Sequence, residues 1–197
     1  RSPAQMAAAE ARLTPPQAWR DVEALATLGT PTAMAALREA FSQDSVEVRM
    51  QVLRHAPELV SETERTNAMV SAISGAEPYG GLTDTMTQIA EFHPPPVMAA
   101  LFTALLTAPG TVAYHYAAML ATLHGAATSP DDDTLRPLYL AFNTSDNTER
   151  RDALTALCRT LGLDPHAKLA EVNDSLATQK GDLAPADSSV HRNRLGD

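Results

Sequence analysis

The chain holds a single cysteine in 197 residues. One thiol cannot make an internal disulfide, and it cannot build a thiolate zinc site, so neither can hold this fold together. Aromatic residues make up only 5% of the sequence. Branched residues are also scarce, with 10 Val and 2 Ile against 35 Ala and 23 Leu. Strands draw on branched and aromatic side chains, whereas Ala and Leu lose little on entering a helix, so the composition excludes a sheet protein and predicts an all-α one. No apolar run approaches the roughly 18–20 residues needed to span a bilayer, so no membrane segment is expected. Phosphate-cradling glycine loops, nucleophile elbows, paired-His zinc helices and dinucleotide fingerprints are all missing. Each of those chemistries needs its residues at fixed spacing, so the expectation is a protein that is not an enzyme and carries no cofactor or metal.

Positive charge is also short. There are 15 Lys and Arg against 24 Asp and Glu, a formal charge of −9. An acidic body repels phosphate backbones and anionic lipid, so nucleic acid and membranes are poor partners. A protein with a basic segment or surface would be attracted and its encounter accelerated. Thirteen of the fifteen cations are Arg, which together with the Ala content resembles high-GC bacterial coding. Residues 1–12 hold no signal-peptide hydrophobic region, and a cytoplasmic location is expected.

A pattern recurs along the sequence: an apolar residue, Ala three positions on, and a large apolar residue at the fourth. It occurs at Leu37-Ala40-Phe41, Met69-Ala72-Ile73, Leu101-Ala104-Leu105 and Leu138-Ala141-Phe142, at intervals of 32, 32 and 37 residues. Each is followed by a second apolar stripe at helical spacing: Leu53 and Ala56, Met86 and Ile89, Ala117 and Leu120, Leu154 and Leu157. Breaks and caps separate the stretches, among them Gly29-Thr30-Pro31, Pro78-Tyr79-Gly80-Gly81, Pro94-Pro95-Pro96, Pro109-Gly110 and Asn143-Thr144-Ser145-Asp146. Two helices per unit and no strand signal predict stacked helical hairpins, because one hairpin alone cannot bury its apolar face. Residues 16–28, with Trp19, Val22, Leu25 and Leu28, read as a partial leading unit; 165–177, with Leu169, Val172 and Leu176, read as a closing cap. The expected organisation is a flexible N-terminus over 1–12, a helical-repeat domain over 13–177 and a flexible tail over 178–197.

The unit Thr32 to Val60 contains Asp44-Ser-Val-Glu-Val-Arg49, and Asp146-Asn-Thr-Glu-Arg150-Arg151 echoes it. These stretches resemble the signature of HEAT repeats, an Asp at the turn and Val-Arg in the second helix. The second and third units depart, with Gly81 and Ala113 at the Arg position. The resemblance covers roughly residues 16–165. It implies a right-handed α-solenoid of about four armadillo-like units with partial capping helices. It also implies that Asp44, Arg49, Asp146 and Arg150 form a structural ladder linking neighbouring units. The stretch from Tyr114 through Leu135–Asn143 to Leu161 is further similar to small bacterial HEAT-type immunity proteins, which implies an inhibitor that binds and neutralises a toxin or effector. Two other readings stay open, a scaffold or adaptor protein and a HEAT-like nucleic-acid enzyme of the DNA glycosylase type.

Other residue groups read as structural. Cys158 falls on an apolar stripe and predicts a core thiol. His115 and His124 are nine apart, two and a half turns, so they diverge and cannot share a metal. Asp131-Asp132-Asp133 precedes a helical run and predicts capping. In stacked hairpins the second helices line the concave face, and the residues opposite their apolar stripes are candidate partner contacts. They are Glu47, Gln51, Arg54 and Glu58; Asp84, Gln88 and Glu91; Tyr114, His115 and Thr122; and Asp152, Thr155 and Arg159. Acids in the first half and an aromatic patch in the middle suit a basic segment with an apolar anchor.

Overall fold

Most of the helices begin where a side chain or a proline can serve the first turn. The computed structural model describes residues 2–43, 45–78 and 81–182, and among these every regular element is helical. Asp44, Tyr79, Gly80 and residues 183–197 of the expected tail lie outside the described residues. The helices are α1 (Pro3–Leu13), α2 (Trp19–Leu28), α3 (Pro31–Phe41), α4 (Val46–His55), α5 (Glu62–Ser74), α6 (Leu82–Glu91), α7 (Pro95–Thr107), α8 (Gly110–Leu123), α9 (Arg136–Leu140), α10 (Asn147–Thr160) and α11 (Pro165–Asp182). The hydroxyl of Thr30 accepts from the Ala33 amide ahead of α3, and that of Ser45 from the Val48 amide ahead of α4. Ser61 and Glu64 form a reciprocal capping box that starts α5. Pro31 and Pro95 occupy first-turn positions that need no amide donor. Gly29, at φ 62°, closes α2 in the left-handed conformation.

Packing is sequential and hairpin-like, a solenoid-type arrangement. Helices α3 and α4, α5 and α6, and α7 and α8 pair as hairpins. One layer runs α2, α4, α6, α8, each against the next; in the other, α5 lies on α7. The first three repeat anchors fill the interface, with Leu37, Met69, Ile73, Leu101 and Leu105 fully buried. Tyr116 in α8 donates its hydroxyl to the Ile73 carbonyl at 3.2 Å and so ties two hairpins together. Between Glu91 and Asp131 the sequence has no Asp, Glu, Lys or Arg. That stretch contains α7 and α8, which are apolar nearly all round and sit centrally, among α5, α6, α9, α10 and α11.

The last unit departs from the expected pattern. Helix α9 has five residues, Leu138 is half-buried and Ala141 exposed, while Tyr139 and Phe142 are fully buried. Helix α9 lies on α8, whereas α10 packs against α7 and α11, and α11 against α7. The two layers have thus exchanged: the second helix of the final unit joins the layer of first helices. Arg150 ties α10 to that layer: its guanidinium donates from Nη1 to the Ala108 carbonyl at 2.7 Å, at the C-terminal end of α7. Its Nε donates to the Thr144 carbonyl at 2.7 Å. A helix C-terminus leaves carbonyls unpaired and carries partial negative charge, and Arg satisfies both.

Helices reach into both terminal stretches. Residues 3–12 of the expected flexible N-terminus fall within α1, capped by Ser2 and Gln5. Helix α11 runs to Asp182, so residues 178–182 of the expected tail are helical. Trp19, read as part of the partial leading unit, is 41% exposed and stacks its ring under the Arg20 guanidinium.

Candidate protein-binding surface

Helices α4, α6 and α8 touch in series, so their outward side chains share one layer. Glu47, Arg54 and Glu91 are exposed there, and Asp84 is half-buried. Glu58 is exposed on a short 3-10 turn, Pro57–Leu59, beyond the end of α4. On α8, His115 is exposed and Tyr114 half-buried, while Thr122 returns its hydroxyl to the Ala118 carbonyl. Asp152 and Arg159 are exposed and Thr155 half-buried, but all three belong to α10, in the other layer. The four expected rows are therefore three rows plus a separate face.

Two residues expected on the open face are interior. Gln51 is 4% exposed and Gln88 1%. Arg65 on α5 explains Gln88: its Nη2 donates to Gln88 Oε1 at 3.1 Å while its guanidinium lies 4.4 Å over the Phe92 ring. A glutamine can turn inward when a donor from the other helix of its own hairpin meets its oxygen. Gln51 Oε1 and Gln88 Nε2, an acceptor and a donor on packed helices, are buried without partners among the described residues.

Of the ladder residues, Asp146 acts locally and Arg150 reaches the preceding unit. Asp146 Oδ1 accepts from the Thr148 and Glu149 amides at 2.7 and 3.2 Å, which holds its carboxyl below the usual range. It caps α10; Arg150 turns instead to the carbonyls of α7 and the preceding loop, so the implied Asp–Arg pair does not form in this unit. Arg49 is half-buried beside a groove lined by Phe41, Glu64, Asn67 and Ala68. Across that groove Arg38 and Glu64 are ion-paired. The Ser61 amide and hydroxyl, then Arg38, bring the Glu64 carboxyl down to about 2. Asp132 also caps, and the Thr134 hydroxyl and amide bring it to about 2.

The aromatic patch has a shape that the sequence did not give away. Tyr114 meets Tyr139 edge-on at 5.9 Å and His115 at 5.2 Å. Beside them opens a concavity of about 180 Å³ lined by Thr111, Tyr114, His115, Arg136, Leu140 and Asn143. Leu140, absent from the sequence-based candidates, is 48% exposed. Its signal was Pro137, which marks a helix start beside Leu138 and Leu140, two residues apart and so on diverging faces of one short helix. Asp133 pairs with Arg136 at 3.3 Å on the rim.

Cys158 is fully buried, and burial pushes its thiol up. Among the described residues no group of three or more His, Cys, Asp or Glu is placed to hold a metal, and no helix is long and apolar enough to cross a membrane. No family model matches the chain, and neither a curated protein nor a solved structure does.

Proposed function

We propose that this chain is a non-catalytic HEAT-type module that binds another protein, and that the partner is a bacterial toxin or effector which it neutralises. The observation that supports the reading is the α4–α6–α8 layer. Helices from three successive hairpins present Glu47, Asp84 and Glu91 and lead to the Tyr114–His115 patch. A face assembled from successive helices is extended and continuous, which suits a protein partner better than a small molecule. The net charge of −9 draws a cationic partner toward it and speeds encounter. The inhibitor role rests on the similarity of Tyr114–Leu161 to immunity proteins and on the fact that many toxic nucleases are basic.

Affinity capture with the tagged chain from its source cell tests this. A basic protein should be retained at physiological salt, released by high salt, and lose its own activity when the chain is added. Elution of the chain alone overturns the proposal. A captured protein whose activity is unaltered makes the chain an adaptor.

A further inference from the structure

We infer that the concavity between α8 and α9 is an anchor site for a partner segment in which a large apolar side chain stands next to Arg or Lys. This rests on the reading of the chain as a binding module and specifies where and what it grips. Three observations carry it. The first is apolar: Leu140 and Trp19 are the large hydrophobic residues left most open among the described residues, and only Leu140 lines a concavity that also has an aromatic wall. The second is size. At about 180 Å³ the concavity falls below the roughly 300–1,000 Å³ of small-molecule sites and suits one side chain.

The third is charge. The segment around the concavity, residues 131–151, carries five carboxylates against three guanidiniums. Arg150 is buried and spent on carbonyls, Arg136 is paired with Asp133, and Arg151 donates to Asn173. Asp131, Asp146 and Glu149 remain exposed, with no cation bound among the described residues. Glu149 reaches back to the Thr144 hydroxyl at 2.6 Å, next to the lining residue Asn143. An apolar side chain seated on Leu140 and Tyr114 therefore places its neighbours in a negative field. Desolvated apolar anchors supply most of the binding energy at such sites, and flanking charges set choice of partner and on-rate.

The test uses the full chain and a fluorescein-labelled peptide of alternating Arg and Leu, with two control peptides carrying Glu for Arg or Ala for Leu. Fluorescence anisotropy should show saturable binding of the first peptide, weakened by salt, and no saturation with either control. Leu140→Ser should weaken binding about tenfold, the scale of one lost anchor. Glu149→Gln should weaken it at low salt only. Trp19→Ser, at the other exposed hydrophobic, should leave it unchanged. Both positions are exposed, and far-UV circular dichroism checks that each variant keeps its helices. Equal loss with Trp19→Ser, binding of the Glu peptide, or an unaltered Leu140→Ser titration overturns the inference. If the natural partner is captured undiminished by Leu140→Ser, the anchor site fails while the binding-module reading stands.

Discussion

Arg150 shows how much a single side chain can decide. It is 7% exposed, and its guanidinium is met by the carbonyls of Thr144 and Ala108, with Leu105 at 3.5 Å. Removing it leaves those carbonyls buried and unpaired. Arg150→Met should cost about 3 kcal/mol, the worth of roughly two charge-assisted hydrogen bonds; a shift of the urea midpoint measures it, and an unchanged midpoint refutes it. The sequence marked Asp146 and Arg150 as a special pair, but only tertiary packing brings the end of α7 beneath Arg150. Glu64 makes the complementary point with pH. Its carboxyl is held at about 2 against an ordinary value of 4.5, by Ser61 first and then Arg38. A lowered carboxyl stabilises the fold fully above its unfolded value and loses that contribution as pH falls toward the folded one. Thermal melts should therefore show Tm dropping between pH 4.5 and about 2, with a shallower drop for Glu64→Gln. Equal slopes would exclude Glu64 from acid unfolding.

At the scale of the helix, three of the four repeat anchors could be read directly. Their Leu, Met and Ala residues recur at helical spacing, and their prolines and hydroxyls mark the starts. Helix α9 could not be read this way. Over five residues the periodicity has no room to declare a face, so Leu138 looked like the anchor while Tyr139 took the buried position. Trp19 misled for a related reason: large and apolar, it sits at the first residue of α2, where the helix has little neighbouring surface. The start of α8 yields a sharper expectation. A Cβ on Gly110 would lie 2.7 Å from Asn143 Oδ1 and 2.9 Å from Asn143 Cα. Ala ordinarily stabilises a helix over Gly by about 1 kcal/mol. Here overpacking against backbone costs about 2 kcal/mol and wins, so Gly110→Ala should lower Tm by roughly 2–4 °C. A raised Tm on calorimetry would mean that the α9–α10 loop yields freely.

Across the whole molecule, the sequence conveyed the class and the sequential stacking but not the exchange of layers at α10. Stripe spacing says which face of a helix is buried, not which neighbour covers it. That exchange moved Asp152, Thr155 and Arg159 away from the α4–α6–α8 face. It also seals Cys158 in the core, with burial raising the thiol. Maleimide labelling of Cys158 should be slow in buffer and complete in denaturing urea; a rapid native reaction would show that the α10–α11 pair opens by itself. The uncharged stretch that holds α7 and α8 has a further consequence. Charge on α7 is borrowed from later helices: the Lys168 ammonium lies 4.8 Å over the Phe102 ring, and the Arg150 guanidinium holds the Ala108 carbonyl. Whatever added salt does to α7 thus comes through side chains lent to it by α10 and α11.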